Sequence, residues 1–165
     1  MKIGIIADTH DNIYAIRQAV CFFNTQNLKY VIHAGDYIAP FSLKELMNVK
    51  SKFLGVFGNN DGERKGLLAV CKDIHEPPYD FILDGKHIMV THMIESLSKR
   101  SIVNTDIIVS AHTHTPEIKQ GIPMYINPGE CGGWLHDKST VAILDVKTFH
   151  AEIVDLSTVS LGKGY

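Results

Sequence analysis

The chain opens with "KIGIIA" at 2–7, a short, almost wholly apolar run rich in isoleucine, which is the pattern of a strand covered on both faces. Asp11 and Asn12 follow as candidate caps. Ile13, Ile16, Ala19, Val20 and Phe23 then recur at helical spacing, with Arg17, Gln18 and Asn24 elsewhere, and predict a helix over 13–26. "YVIHA" at 30–34 predicts a second strand. Pro40 suits the first turn of a helix running to about Met47, "FLGVF" at 53–57 predicts a third strand, and a weaker helix is expected over 62–72. This alternation is the signature of a parallel sheet with right-handed crossovers.

After about residue 80 the pattern changes. Strands are expected at 80–84, 87–91, 106–111, 117–120 and 122–126, followed by "STVAILDV" and "FHAEIVDL" paired as a hairpin around Lys147-Thr148. One helix, about 93–102, interrupts them. The expected architecture is a single α/β domain over 1–165, two sheets with helices outside, and a tail at 157–165 that packs loosely.

Composition narrows the function classes. With 165 residues, 45% apolar and 21% charged, the chain has the makings of an ordinary core. No apolar run approaches the roughly 18–20 residues of a membrane span, and Asp8 comes too early for a signal peptide, so a cytoplasmic protein is expected. A net charge of -2 supplies no broad cationic field, which argues against strong nonspecific binding to nucleic acid. Cys21, Cys71 and Cys131 form no CxxC pair and indicate neither a disulfide framework nor a thiolate zinc site. The oligomeric state stays open, a homo-oligomer among its possibilities.

The polar residues fall in a pattern. Asp8 and His10 follow the first strand, Asp36 the second, Asn59 the third and His92 the strand ending at Thr91, while His112 and His114 follow the strand before them. Ligand sites in open α/β sheets form outside the carboxyl ends of strands. If the backbone is extended there, Asp8 with His10, and His112 with His114, each aim two donors at one place. Oxygen and imidazole donors without thiolate suit manganese, iron(II), zinc or nickel rather than calcium. The set serves two ions if one carboxylate bridges, and Asp36 in "AGDY" is the expected bridge, with Gly35 and Gly58 letting the backbone pass close behind.

These residues resemble the calcineurin-like metallophosphoesterase family, whose motifs occur here in order as "DTH" at 8–10, "GD" at 35–36, "GNND" at 58–61, "TH" at 91–92 and "AHTH" at 111–114. "GNNDGER" and "INPGE" are similar to the small prokaryotic phosphodiesterase branch, which also resembles the retromer subunit. The resemblance implies a two-sheet α/β/β/α sandwich of the metallophosphoesterase type. It implies one divalent ion on Asp8, His10, Asp36 and His114, and a second on Asp36, Asn59, His92 and His112. Manganese(II) is the first expectation, with nickel, zinc or iron as the others. Three positions depart from the family: Asn60 stands where larger relatives carry a histidine that protonates the leaving group, Met93-Ile94 replaces Gly-His, and Ala111 replaces Gly.

Two ions sharing a water lower its pKa from 15.7 toward about 7, so hydrolysis of a small phosphodiester by hydroxide needs no side-chain nucleophile. Asp36, Asn60 and Asp61 are the candidate catalytic residues, Asp61 as a helix cap or as a group orienting a ligand histidine. Asn12, Asn60 and Arg64 are the candidates for phosphate contact. His33, His75, His87, His136 and His150 are expected to be structural or surface residues, with His136 and Trp134, in "ECGGWLHD", the ones expected nearest the substrate mouth. The competing classes are a protein-binding scaffold of the same fold without catalysis, and a nuclease or phosphomonoesterase. The absence of a capping segment and of a basic face speaks against a nuclease, and a shortage of extra cations against a monoesterase.

Overall fold

In the structure, a computed structural model that describes residues 1–98, 100 and 102–159, the isoleucine-rich opening run forms β1 (Lys2–Ile6). Ile3 and Ile5 point to one side and Ile6 to the other, and all are fully buried. Burying each such side chain contributes about 1.5–3 kcal/mol. β1 is followed by α1 (Ile13–Thr25), β2 (Tyr30–His33), α2 (Pro40–Leu46), β3 (Lys52–Val56), α3 (Arg64–Val70) and β4 (Ile74–His75). Then come β5 (Tyr79–Leu83), β6 (Lys86–Val90), β7 (Ile107–Val109), β8 (Glu117–Lys119), β9 (Met124–Asn127), β10 (Thr140–Asp145) and β11 (His150–Asp155).

The first sheet has the order β11-β10-β1-β2-β3-β4 and the second β5-β6-β7-β9-β8. β1 to β4 run parallel, as do β6, β7 and β9. The carboxyl ends of these parallel strands carry the candidate ligands. One apolar core, with Ile16, Phe23, Leu43 and Leu67, lies between the three helices and the first sheet. A second, with Ile5, Ile32, Val56, Ile88, Val109 and Ile126, lies between the sheets. The expected hairpin is present, with Asp145 opposite His150 and Lys147-Thr148 in its turn.

One expectation changes. In place of a helix over 93–102 there is a 3₁₀ turn at Ile94–Ser96, and Lys99 and Ser101 of that stretch lie outside the described residues. The Ser96 hydroxyl donates to the Met93 carbonyl at 2.6 Å and the Thr91 hydroxyl to the same oxygen at 3.2 Å. Side chains that bond their own backbone in this way compete with helix formation. Among the described residues the three α-helices pack on the first sheet. Of the tail, Leu156–Thr158 forms a 3₁₀ turn capped by Asp155, and 160–165 lie outside the described residues. Among the described residues no helix is long and apolar enough to cross a membrane.

Candidate metal centre

The chain leaves three of the ligand-bearing strands, β1, β2 and β7, through left-handed backbone. Asp8 (φ 49°), His10 (40°), Asp36 (63°), His112 (71°) and His114 (60°) all have positive φ. Asp, Asn and His enter this region more readily than other side chains, at a cost on the order of 1–3 kcal/mol each. The extended-backbone geometry expected for the 8/10 and 112/114 pairs is thus corrected, since the donors converge because the backbone curls. The turns interlock: the Asp8 amide donates to the Gly35 carbonyl at 3.0 Å, and the amides of Thr9 and His10 donate to the Asp36 carbonyl at 3.1 and 3.2 Å. A Cβ on Gly35 would stand 2.8 Å from the Gly58 backbone, and one on Gly58 would strike the Asp36 carboxylate, so both glycines are needed where expected.

The donor atoms meet at one place. Asp36 Oδ2 lies 3.5 Å from His10 Nε2 and 3.5 Å from His92 Nε2. Asp8 Oδ1 is 3.7 Å from His114 Nε2 and 3.9 Å from His10 Nε2. Asn59 Oδ1 is 2.9 Å from His92 Nε2, and the His112 ring stands 5.1 Å from that of His92. Asp8, His10 and His114 form one compact set, and Asp8, Asp36 and His92 another. Two atoms each about 2.1 Å from one ion sit about 3–3.5 Å apart, so these spacings are only slightly open for metal. Asp8 Oδ1 and His10 Nε2 are moreover buried without a hydrogen-bond partner. Such atoms are costly to leave unsatisfied, and a cation satisfies both.

The protonation pattern fits the same conclusion. Burial pushes the Asp8 carboxyl up to about 6 against the pull of His92 and His114. Burial acts on Asp36 in the same direction, yet the hydrogen bond and charge of His92, with the Asn60 donors, outweigh it and hold the carboxyl well below the usual range. Burial lowers His10. It also opposes charge on His92, but the bond and charge of Asp36 prevail and raise it. A cluster of anionic oxygens and imidazoles that share protons in this way is one that a divalent cation can take over.

The rings are aimed from behind. His92 Nδ1 lies 2.8 Å from the Ala34 carbonyl, which makes it the protonated nitrogen and leaves Nε2 for the centre. His114 Nδ1 lies 3.1 Å from Glu130 Oε2. Glu130, only 1% exposed, also accepts from the amides of Trp134, Leu135 and His136 at 2.8–2.9 Å. Burial works to raise its pKa, but His114 and these amides bring it below the usual value. Its role was not anticipated, although it closes the "INPGE" stretch.

The other candidates separate. Asp61, 2% exposed, accepts from the amides of Asp36 (2.9 Å), Tyr37 (2.8 Å), Ile38 (2.9 Å) and Gly58 (2.7 Å). It does not cap α3, whose N-cap is Glu63, and its hydrogen bonds go to backbone amides, so it acts by fixing the loop that presents Asp36. Asn60 donates through its amide group to Asp36 Oδ2 at 2.7 Å and through its backbone to Oδ1 at 2.9 Å, at the exposed edge of the centre. Asn12 is corrected from phosphate contact to a structural role: its Oδ1 caps α1 at Ala15, and its Nδ2 donates to the Gly132 carbonyl at 2.7 Å. Arg64 is committed to Glu76 and lies over the Phe57 ring at 4.7 Å. It borders a cleft of about 250 Å³ that Asn59, His92, Pro77 and Met93 also line.

Among the remaining histidines, His33 is buried, accepts from the Gly35 amide at Nδ1 and so donates from Nε2 to the Thr9 hydroxyl, while His75 stacks on Tyr79. His87 lies in β6 and His150 in β11, away from the centre. Trp134 stands at its edge, its indole Nε1 donating to the His10 carbonyl at 3.1 Å, and the exposed His136 follows in the same loop. Ala111 is buried in the inter-sheet core.

A two-sheet sandwich with carboxylate and imidazole donors gathered at its strand ends is a scaffold suited to divalent metal ions and to metal-assisted hydrolysis. The chain belongs to the calcineurin-like phosphoesterase superfamily, whose domain matches residues 1–149. It is 39% identical over 166 residues to a phosphodiesterase of Methanocaldococcus jannaschii, with 93% of this chain and 99% of the relative covered. The structure of an archaeal phosphodiesterase superposes with a TM-score of 0.86 at 32% identity over 94% of this chain and 99% of that one. Yfce, a phosphoesterase from E. coli, shares the fold with a TM-score of 0.73 at 19% identity over 94% and 100%.

Proposed function

We propose that the protein is a phosphodiesterase that hydrolyses small diesters with two divalent ions, manganese(II) before nickel, zinc or iron. The observation that carries this is Asp36 Oδ2, one buried oxygen 3.5 Å from a histidine of each ligand set. Asp8, His10, Asp36 and His114 would hold one ion, and Asp36, Asn59, His92 and His112 the other. When bound, the ions supply an activated water as nucleophile and neutralise charge on the phosphoryl oxygens.

The chain's own groups do the rest. Asp61 and Glu130 hold the ligand-bearing loops and rings, so that little reorganisation accompanies substrate binding. The Asn60 amide, at the exposed edge, is placed to donate to a phosphoryl oxygen once Asp36 is engaged elsewhere. An amide cannot protonate a leaving alkoxide, so esters of acidic alcohols are favoured substrates. The three cysteines form no disulfide, which suits action in a reducing cytoplasm.

The test is hydrolysis of a matched aryl phosphodiester and monoester by chelator-stripped protein, with manganese, nickel, zinc or nothing restored. The expected result is metal-dependent turnover that favours the diester and falls at least 100-fold in Asp36→Asn, on the order of 3 kcal/mol of lost transition-state stabilisation. Absence of turnover with every metal, in folded protein, would overturn the proposal and leave a binding scaffold. Asn60→His is expected to raise turnover of alkyl esters more than of aryl esters.

A further inference from the structure

Trp134 is the chain's one tryptophan, and its side chain remains 62% exposed at the edge of the centre. Exposed indoles are usually free to turn, but this one is fixed at three points. Its Nε1 donates to the backbone carbonyl of His10, a candidate ligand, at 3.1 Å. Its own amide donates to the buried Glu130 carboxylate at 2.9 Å. A Cβ on Gly132 would come within 2.8 Å of Trp134 Cδ1 and 3.0 Å of the Asp8 carbonyl oxygen, so the indole lies against bare backbone beside Asp8. Gly132 is in turn tied to the start of α1 by Asn12, at 2.7 Å.

The polar edge of the indole is thus satisfied by the protein, and the exposed remainder is apolar ring. A rigid, preorganised aromatic surface loses little conformational freedom on binding, and stacking a flat ring on it is insensitive to that ring's identity. The surface adjoins His10 and Asp8, where a bound phosphate would sit. The geometry points to Trp134 as a stacking platform for a planar aromatic group on one ester arm, which makes aryl and nucleoside phosphodiesters the preferred substrate class. This rests on the phosphodiesterase reading for turnover, though not for binding.

The binding test titrates the manganese-loaded full chain with adenosine 5′-monophosphate and with ribose 5-phosphate, which lacks only the base, while following Trp134 emission. The expected result is a saturable emission change with half-saturation for the nucleotide at least tenfold below that for the sugar phosphate. Equal half-saturation, or an unchanged emission with both, would overturn the platform. In kinetics, Trp134→Ala is expected to raise KM for a phenyl-bearing diester about tenfold more than for an alkyl diester, and Trp134→Phe to recover most of the difference. Equal losses for both esters would count against it. If no diester turns over with any metal while the two phosphates still separate in the titration, the phosphodiesterase reading falls and the platform stands.

Discussion

Two buried carboxylates, Glu130 and Asp61, set the geometry of the candidate ligands. Glu130 receives His114 and three consecutive amides, and so orients a ring and a loop together. Replacing it with glutamine keeps the size but removes the charge that makes His114 a better donor. Glu130→Gln is expected to weaken metal binding about 10- to 100-fold, measured by titrating stripped protein with manganese. The same variant is expected to shift Trp134 emission even without metal, because the Trp134 amide loses a charged acceptor. An unchanged affinity would mean that the carboxylate serves the loop alone. Asp61, with four amides on its two oxygens, does the corresponding work for Asp36.

The elements follow from the sequence unevenly. The parallel strands other than β4 were legible because each is a short, largely apolar run, and α1 because its apolar stripe is regular and its cap is an asparagine. The cap predicts its own test: Asn12→Ala is expected to cost about 1 kcal/mol for the cap and more for the lost bond to Gly132, read as a lowered Tm. β4 escaped notice because two residues carry no periodicity. The stretch 93–102 misled because its spacing permits a helix, whereas Thr91 and Ser96 spend their hydroxyls on the Met93 carbonyl. The candidate ligands stand out in the sequence by their places at strand ends, but their left-handed backbone does not, since DTH and HTH look the same whether the chain runs straight or curls. Glu130 was hidden for a related reason: its partners are mostly amides, which have no signature in the side-chain pattern.

Across the whole molecule the centre works against stability when no cation occupies it. Burial raises Asp8 from 3.8 to about 6 in the folded chain, so protonation favours the folded state. The sign follows: this contribution is complete below about pH 4 and is lost as pH rises through 6. Asp36, held below the usual carboxylate range, is already ionised across this window, and His92, raised above its usual value, is still charged. Burial lowers His10 and His33, which pull the other way, so the Asp8 contribution is read as a difference. The Tm of chelator-stripped Asp8→Asn is expected to rise relative to that of the stripped parent between about pH 4 and 6, and the parent's gain on adding manganese to widen over the same interval. A metal-induced gain that is flat with pH would mean that Asp8 is not a ligand.

The donors come from both layers: Asp8, His10, Asp36 and Asn59 follow strands of the first sheet, and His92, His112 and His114 follow strands of the second. Ions held between them, as proposed, would act as a rivet through the seam of the sandwich. Drawing the rivet lets the two layers breathe apart at that edge, while the three helices keep their grip on the far side of the first. Amide hydrogens near the strand ends of both sheets should then exchange faster together on chelation, and those of α1 to α3 should keep their pace.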